Sequence, residues 1–402
     1  MNAHQRPDST RPETIAFFVN DLHFFRLHRL PIAEAAADLD FDVRVITDYG
    51  DHNEPDIRHL RELEFSLSYV PVAKSVTWPW HELRTLIAIR SVLEENPPAL
   101  LHNVGFKSIV HGTHAAYSLG NEIPVVNHVT GLGHMYAVDG LKERLARSVM
   151  NLGFASAFRI VDRQRIVLQN HDDRQLLISE ARAPREKTAV ILGSGVDTDR
   201  YRPRPSPDSG DRPTTVLFAG RLLWTKGVGD FIDAARRLRD DHPGVRWVIV
   251  GEPDPENDAC VPETQLKEWD GETGIEWWGW RTDMDEVYRS VDVFCLPTVY
   301  REGIPKVLME AAASELAVVT TDVPGCREVV DDGTNGFLVT PGDSRELAER
   351  LRRLLADPDL RKRMGRAGRR RIQEGFTKQQ VVRETIEVYA ELIDLDPTDL
   401  TA

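Results

Sequence analysis

The chain has 402 residues and a formal net charge of −14. It is long enough for two domains with full cores, and too acidic for nonspecific binding to nucleic acid. Cys260, Cys295 and Cys326 are widely spaced with no CxxC pair, which argues for a reducing compartment and against a disulfide framework or zinc site.

Residues 1–12 are polar and proline-containing. They read as a disordered tail without the apolar centre of a secretion signal. Thr14–Val19 and Asp42–Thr47 are apolar runs of strand length, and Ser66–Val70, Ala99–His102 and Pro124–Val129 are further short strand candidates. Helical spacing marks Leu30–Leu39 and Leu83–Leu93 between them. Short apolar strands alternating with helices predict a parallel α/β sheet, here a first domain over 13–200. Leu141–Ile166 then mixes Lys142, Arg144, Arg147, Arg159, Arg163 and Arg165 with Leu145, Val149, Leu152, Phe154 and Phe158. That pattern suits an interfacial helix face or a helix packed on its own domain. Trp78 and Trp80 could line a ligand groove or a lipid surface. No apolar run reaches the roughly 18 residues needed to cross a bilayer, so a cytoplasmic protein with at most peripheral membrane contact is expected.

The Pro-, Ser- and Asp-rich stretch 201–213 reads as a linker. Strands and helices then resume over 214–375: Thr214–Ala219, Val228–Arg239, Val245–Val250, Ile275–Trp278, Asp292–Leu296 and Ala317–Thr320. Ligands of such sheets bind at the carboxyl ends of the strands, and two facing domains would place a site in the cleft between them. The basic helical stretch Leu360–Ile372 has two readings, a solvated face or contact with anionic headgroups.

Two loops at predicted strand ends carry charge. After Thr214–Ala219 comes Gly220-Arg221-Leu222-Leu223-Trp224-Thr225-Lys226-Gly227, which is neither GxGxxG nor a P-loop. Arg221 and Lys226 there could neutralise a departing diphosphate, or be plain surface charges. After Asp292–Leu296 comes Arg301-Glu302-Gly303-Ile304-Pro305-Lys306-Val307-Leu308-Met309-Glu310. Pro305 suits a first helical turn, whose N–H groups and dipole favour an anion. Along an unbroken helix the interval from Glu302 to Glu310 would rise about 12 Å and turn about 80°. Two acceptors so placed could hold hydroxyls at two ends of an extended ligand such as a sugar nucleotide; two ordinary surface glutamates are the other reading.

Together, strand-Gly220-Arg221-x4-Lys226-Gly227, Glu302-Gly303-x-Pro305-x4-Glu310 and Thr321-Asp322-Val323-Pro324-Gly325-Cys326-Arg327-Glu328 resemble the nucleotide-sugar half of the retaining glycosyltransferases of family 4. The resemblance covers nearly the whole chain. His28-Arg29-Leu30-Pro31, Asn127-His128-Val129-Thr130-Gly131-Leu132-Gly133, Gln169-Asn170-His171-Asp172-Asp173 and Gly193-Ser194-Gly195-Val196-Asp197 are similar to its capsule and O-antigen branch, near the CapM-like and N-acetylgalactosaminyl transferases. The resemblance implies a GT-B fold, two Rossmann-like domains facing across a cleft, with a final helix at about 376–393 returning to the first domain. It implies a nucleotide-sugar donor, UDP-linked in this branch, a sugar on a polyprenyl diphosphate as acceptor, retention at the anomeric carbon, and neither cofactor nor metal.

On that resemblance Arg221 and Lys226 grip the diphosphate, Glu302 faces the donor sugar and Glu310 accepts from the ribose. Gly220 and the backbone of Gly303, Ile304, Pro305, Lys306 and Val307 line the donor phosphates, and Arg281 falls near the base. Asn20, Asp21, Lys107, Thr130 and Gly131 are the acceptor-side candidates. Two departures stand out. Asn20-Asp21 replaces the Gly-Gly turn of many relatives, and Thr130 aligns with a histidine of many relatives, with His128 one pleat away. Asp40-Phe41-Asp42 and Asp283-Met284-Asp285 match a DxD metal signature only formally. Asp283 suits a helix cap, and Asp42 opens a strand. A UDP-sugar epimerase, a phosphorylase and a non-catalytic UDP-sugar binder are the competing classes; the missing GxGxxG argues against an NAD-dependent oxidoreductase.

Overall fold

The computed structural model describes residues 13–48, 54–72, 79–136, 140–205, 212–393 and 395. The expected tail, Trp78 and the middle of the expected linker lie outside the described residues. The chain divides into two compact units.

The first unit takes in residues 1–130, 145–191 and 382–402. In chain order it is built from β1 (Thr14–Val19), α1 (Leu22–His28), α2 (Leu30–Asp38), β2 (Asp42–Thr47), α3 (Glu54–Glu62), β3 (Ser66–Tyr69), α4 (Pro79–Glu95), β4 (Leu100–Val104), α5 (Phe106–Ser118), β5 (Val125–Val129), α6 (Leu141–Ile160), β6 (Gln164–Leu168), α7 (His171–Glu180) and β7 (Thr188–Val190). The strands form one parallel sheet in the order β3-β2-β1-β4-β5-β6-β7. Its central strands β4 and β5 are buried throughout, as sheets covered on both faces require. The helical reading of Leu141–Ile166 ends early: α6 stops at Ile160, and Arg163 and Arg165 belong to the turn and strand that follow.

The second unit takes in 131–144, and so the first four residues of α6, together with 192–381. It continues with β8 (Thr215–Ala219), α8 (Val228–Leu238), β9 (Arg246–Val250), α9 (Glu263–Asp270), β10 (Ile275–Trp277), α10 (Met284–Ser290), β11 (Val293–Leu296), α11 (Lys306–Ala313), β12 (Ala317–Thr321), α12 (Cys326–Val329), β13 (Gly336–Val339), α13 (Ser344–Ala356), α14 (Pro358–Gly375) and α15 (Lys378–Ala390). Its parallel sheet runs β10-β9-β8-β11-β12-β13. The division falls earlier than the expected boundary at 200. The Val196 N–H bonds the Phe376 carbonyl at 2.9 Å, and Arg369 donates to the carbonyls of Thr198 and Tyr201, so 192–201 is tied into the second unit.

α15 begins in the second unit, and its residues from Val382 onward count with the first. Tyr389 is fully buried, with its hydroxyl 2.6 Å from His102 Nδ1 on β4. Arg165 pairs with Glu391, and Arg163 donates to the Leu392 carbonyl. Neither reading of the basic stretch in α14 describes it fully. Arg361, Arg369 and Arg371 are spent on backbone carbonyls of neighbouring segments, while Lys362, Arg363, Arg366 and Arg370 are exposed.

Candidate active site

The six strands of the second sheet are parallel, so their carboxyl ends share one edge. Two loops meet there. The segment after β8 makes a short turn over Trp224–Lys226 and reaches Gly227, whose φ is 78°. That left-handed backbone suits glycine, and a Cβ here would lie 2.0 Å from the Pro297 carbonyl oxygen. The Val299 N–H and the Thr298 hydroxyl both donate to the Thr225 carbonyl, at 3.0 and 3.1 Å. The β8–α8 and β11–α11 loops are thereby stitched together, and Lys226 and Glu302 form a largely buried ion pair. Thr298 Oγ1 is 3.4 Å from Glu302 Oε1, and Lys226 Nζ sits 5.7 Å from the centre of the Tyr300 ring.

The loop carrying Glu302 is held by close backbone approach. A Cβ on Gly325 would lie 2.1 Å from the Gly303 carbonyl oxygen, and one on Gly131 would lie 2.7 Å from the Gly303 nitrogen. This explains the Val323-Pro324-Gly325 turn, and Gly131, expected on the acceptor side, lies within the second unit against the Glu302 loop. α11 then starts at Lys306. Pro305 is its N-cap residue, with φ −63° and ψ 120°, and not part of the first turn as expected. The N–H groups of Lys306 and Val307 lie in that first turn and Pro305 contributes none.

Glu302 and Glu310 are therefore not on one continuous helix. Glu310 is buried inside the second unit, where the hydroxyls of Tyr288, at 3.2 Å, and Tyr201 bond its carboxylate. Burial raises its pKa, an effect opposed by Lys306 and the two phenols. Burial likewise lowers the Lys306 ammonium, against the pull of Glu310. Tyr201 opens the stretch expected as a linker, yet it is buried against the Tyr288 ring. Sequence reasoning missed both tyrosines; the one available signal was an aromatic residue opening a proline-rich stretch.

Other donor-side candidates lie apart from the ion pair. Gly220 follows β8, and Arg221, mostly exposed, pairs with Asp254 at 3.2 Å. Arg281 is held by Asp283 through two hydrogen bonds. The Asp283 carboxylate thus engages Arg281 and makes no side-chain cap bond to α10, although the residue occupies the N-cap position. Among the described residues no three His, Cys, Asp or Glu side chains converge as a metal site requires.

The acceptor-side candidates in the first unit are engaged in its own structure. Asn20 Oδ1 accepts from Ser108 at 2.7 Å, and Asp21 caps α1 by accepting from the Phe24 N–H at 2.8 Å. Lys107 and His111 both bond Glu82, at 2.9 and 2.7 Å. Burial alone would raise the Glu82 carboxyl, but these two partners pull it down to about 2. The Thr130 carbonyl accepts from the Gln169 amide at 3.2 Å, in the orientation in which the amide oxygen accepts from Arg29 at 3.0 Å. His128 is fully buried and its ring is stacked on His102, which is the place of a structural imidazole. Burial lowers the Arg29 guanidinium to about 10 and both imidazoles well below 6.5.

Two family signatures match in succession: a glycosyl transferase 4-like domain over residues 28–192 and a glycosyl transferases group 1 domain over 199–371. The chain is 27% identical over 346 residues to the N,N'-diacetylbacillosaminyl-diphospho-undecaprenol alpha-1,3-N-acetylgalactosaminyltransferase of Campylobacter jejuni, covering 83% of this chain and 87% of that one. It is 22% identical over 357 residues to the capsular polysaccharide biosynthesis glycosyltransferase CapM of Staphylococcus aureus, covering 87% and 89%. Among solved structures, HepE of Anabaena in complex with UDP and glucose superposes with a TM-score of 0.76 at 20% identity, over 94% of this chain and 99% of that one. Sucrose-phosphate synthase from Thermosynechococcus elongatus gives 0.74 at 19%, with 94% and 99% covered. The two Rossmann-like parallel sheets are those of the GT-B fold, and the chain belongs to the family 4 type of glycosyltransferases.

Proposed function

We propose that this glycosyltransferase moves a hexose or N-acetylhexosamine from a UDP-sugar to a lipid-linked saccharide in the synthesis of a surface polysaccharide, with retention and without a metal. The observation that carries the reading is the Lys226–Glu302 pair, set beside the first turn of α11 at the carboxyl edge of the second sheet. That edge offers a cation and helix N–H groups to a diphosphate and a carboxylate to sugar hydroxyls. The relative from Campylobacter is named for a lipid-diphosphate acceptor, and HepE has been captured with UDP; both support the assignment.

In this reading the incoming diphosphate draws Lys226 off Glu302, and Glu302 is released to the donor sugar. The bond between the anomeric carbon and the diphosphate oxygen breaks, leaving positive charge on the sugar. The acceptor hydroxyl attacks from the leaving-group face and its proton passes to the departing diphosphate, so configuration is kept and no protein base is needed. The carboxylates are thus not the acid and base of a glycosidase. Glu310 meets the ribose while anchored by Tyr201 and Tyr288. The acceptor-side residues remain proposals: Lys107 toward the acceptor phosphate, with Asn20, Asp21, Thr130 and Gly131 shaping its approach.

The test is transfer of label from UDP-N-acetylhexosamines and UDP-hexoses to a polyprenyl-diphosphate sugar, with the product's anomeric configuration read by NMR. The expected result is an axial-donor, axial-product transfer that survives EDTA. Inverted product would contradict the retaining mechanism, and a loss restored by Mn²⁺ would contradict the metal-free reading. Conversion of the UDP-sugar without an acceptor, or a requirement for inorganic phosphate, would replace transferase by epimerase or phosphorylase.

A further inference from the structure

The segment that leads into Tyr201 is shaped to hold one side chain in place. Asp197 Oδ1 accepts from the N–H groups of Asp199 and Arg200, at 3.0 and 2.9 Å. The Tyr201 N–H donates to the Asp197 carbonyl at 2.9 Å. One aspartate thus closes a turn that sets the backbone of Arg200. Arg369 fixes the same turn from α14, through the carbonyls of Thr198 and Tyr201.

From that turn the Arg200 guanidinium reaches the connection between β10 and α10, also in the second unit. Its Nη2 donates to the Thr282 carbonyl at 3.2 Å, and its Nε lies 3.5 Å from Asp285 in the first turn of α10. A planar fork suits two acceptors on different segments better than a point charge does. The guanidinium carbon is 5.3 Å from the centre of the Tyr201 ring, and the Tyr201 hydroxyl bonds the Glu310 carboxylate. Arg200 therefore connects the carboxylate proposed for the ribose with the loop that carries Arg281.

That loop is pinned at two points. At its start the Gly279 carbonyl accepts from the Gly251 N–H at 2.9 Å. Near its end the pin is the bond from Arg200 to Thr282. Between them Trp280 and Arg281 are exposed, and their backbone groups make no hydrogen bond among the described residues. A stretch with open donors and acceptors discriminates between ligands only when its place is held. The Arg200 contacts add little to the fold. Half of the side chain is exposed, where such a pair contributes little stability, and Asp285 keeps Arg289 at 3.0 Å without it.

We infer that Arg200 is a positioning residue for the nucleoside half of the donor, holding the 279–283 loop in fixed relation to Glu310. The inference rests on the nucleotide-sugar reading proposed above. The test compares the intact protein with Arg200→Ala and Arg200→Lys, by calorimetric titration with UDP and with inorganic pyrophosphate, and by donor kinetics. Pyrophosphate carries the diphosphate without the nucleoside. The expected result is that Arg200→Ala binds UDP about five- to tenfold more weakly, while pyrophosphate binds as before and the melting temperature of the free protein holds. The donor KM should rise with kcat nearly retained, because a contact made alike in ground and transition states moves KM alone. Arg200→Lys should recover part of the UDP affinity. Unchanged UDP affinity in Arg200→Ala, or equal weakening of UDP and pyrophosphate, would overturn the inference. Failure of the unaltered protein to bind UDP would instead overturn the donor-site reading, and the inference with it.

Discussion

The two parallel sheets are built alike but handle buried charge in opposite ways. In the first, Arg29, His102 and His128 are completely buried, and burial pushes both imidazoles toward the neutral form. Lys107 is already matched by Glu82. In the second, Lys226 and Glu302 sit on loops at the strand ends, where each keeps a little exposure. A charge enclosed without ligand access serves the fold, whereas a paired charge at a loop edge beside a helix N-terminus can trade its partner for a substrate. The contrast explains why the donor side of the family pattern reads so clearly here and the acceptor side does not.

The sharpest break would come from Lys226→Ala. Loss of one preorganised cation at a departing diphosphate costs about 3 kcal/mol or more of barrier, so turnover should fall by orders of magnitude even in the folded fraction, beyond the stability lost by leaving the Glu302 carboxylate without its ammonium. Near-normal turnover would remove Lys226 from the chemistry. Gly227→Ala should act on the stitching of the two loops. With φ at 78° and the Pro297 carbonyl in the way, roughly 1–3 kcal/mol of stability should be lost, read by denaturant unfolding. An unchanged midpoint would mean that the loops are not locked together.

Glu310→Ala separates the carboxylate's two roles. It leaves the buried Tyr288 hydroxyl with only the Val307 carbonyl at 3.3 Å and frees that of Tyr201, so about 1 kcal/mol of stability should go with it, and the donor KM should rise. A rise in KM at unchanged stability would mean that the tyrosines do not hold it, and an unchanged KM would rule out ribose contact.

Acidification should act in opposite senses on the two units. His102 and His128 have folded values below 6.5, so the unfolded state takes protons first and the first unit loses stability as pH falls below about 6.5. Glu310 has a folded value above 4.5, so its burial costs less as pH falls toward 4.5. Hydrogen exchange near pH 5 should therefore show the first unit opening before the second. Equal loosening of both would contradict the assignment of the imidazoles to the first unit's acid lability.

Much of the scaffold was legible because buried parallel strands leave unbroken apolar runs. Thr14–Val19 and Asp42–Thr47 were read with the limits they have. Gln164–Leu168 was absorbed into the preceding helix because Arg163 and Arg165 continue its basic pattern. Gly336–Val339 and Thr188–Val190, edge strands of their sheets, are too short to announce themselves. In the site, motif spacing brought out Lys226, Glu302 and Glu310 but not their partners. Lys226 meets Glu302 across 76 residues, and Glu310 is held by tyrosines from a supposed linker and from α10. Such pairings depend on tertiary contact, which local pattern does not encode. Arg221 and Arg281 carry the family's residue types, yet their side chains rest on Asp254 and Asp283.

The most direct measurement is thermal shift of the intact protein and of Lys226→Ala against UDP, GDP, ADP, CMP and NAD at matched concentrations. A ligand at a hundred times its Kd adds about 2.7 kcal/mol to the state it binds. The expected result is selective stabilisation by UDP that Lys226→Ala reduces. Stabilisation by GDP or ADP would keep the diphosphate site and change the donor, whereas stabilisation by NAD alone, or by none of the five, would contradict a nucleotide-sugar site at the edge of the second sheet.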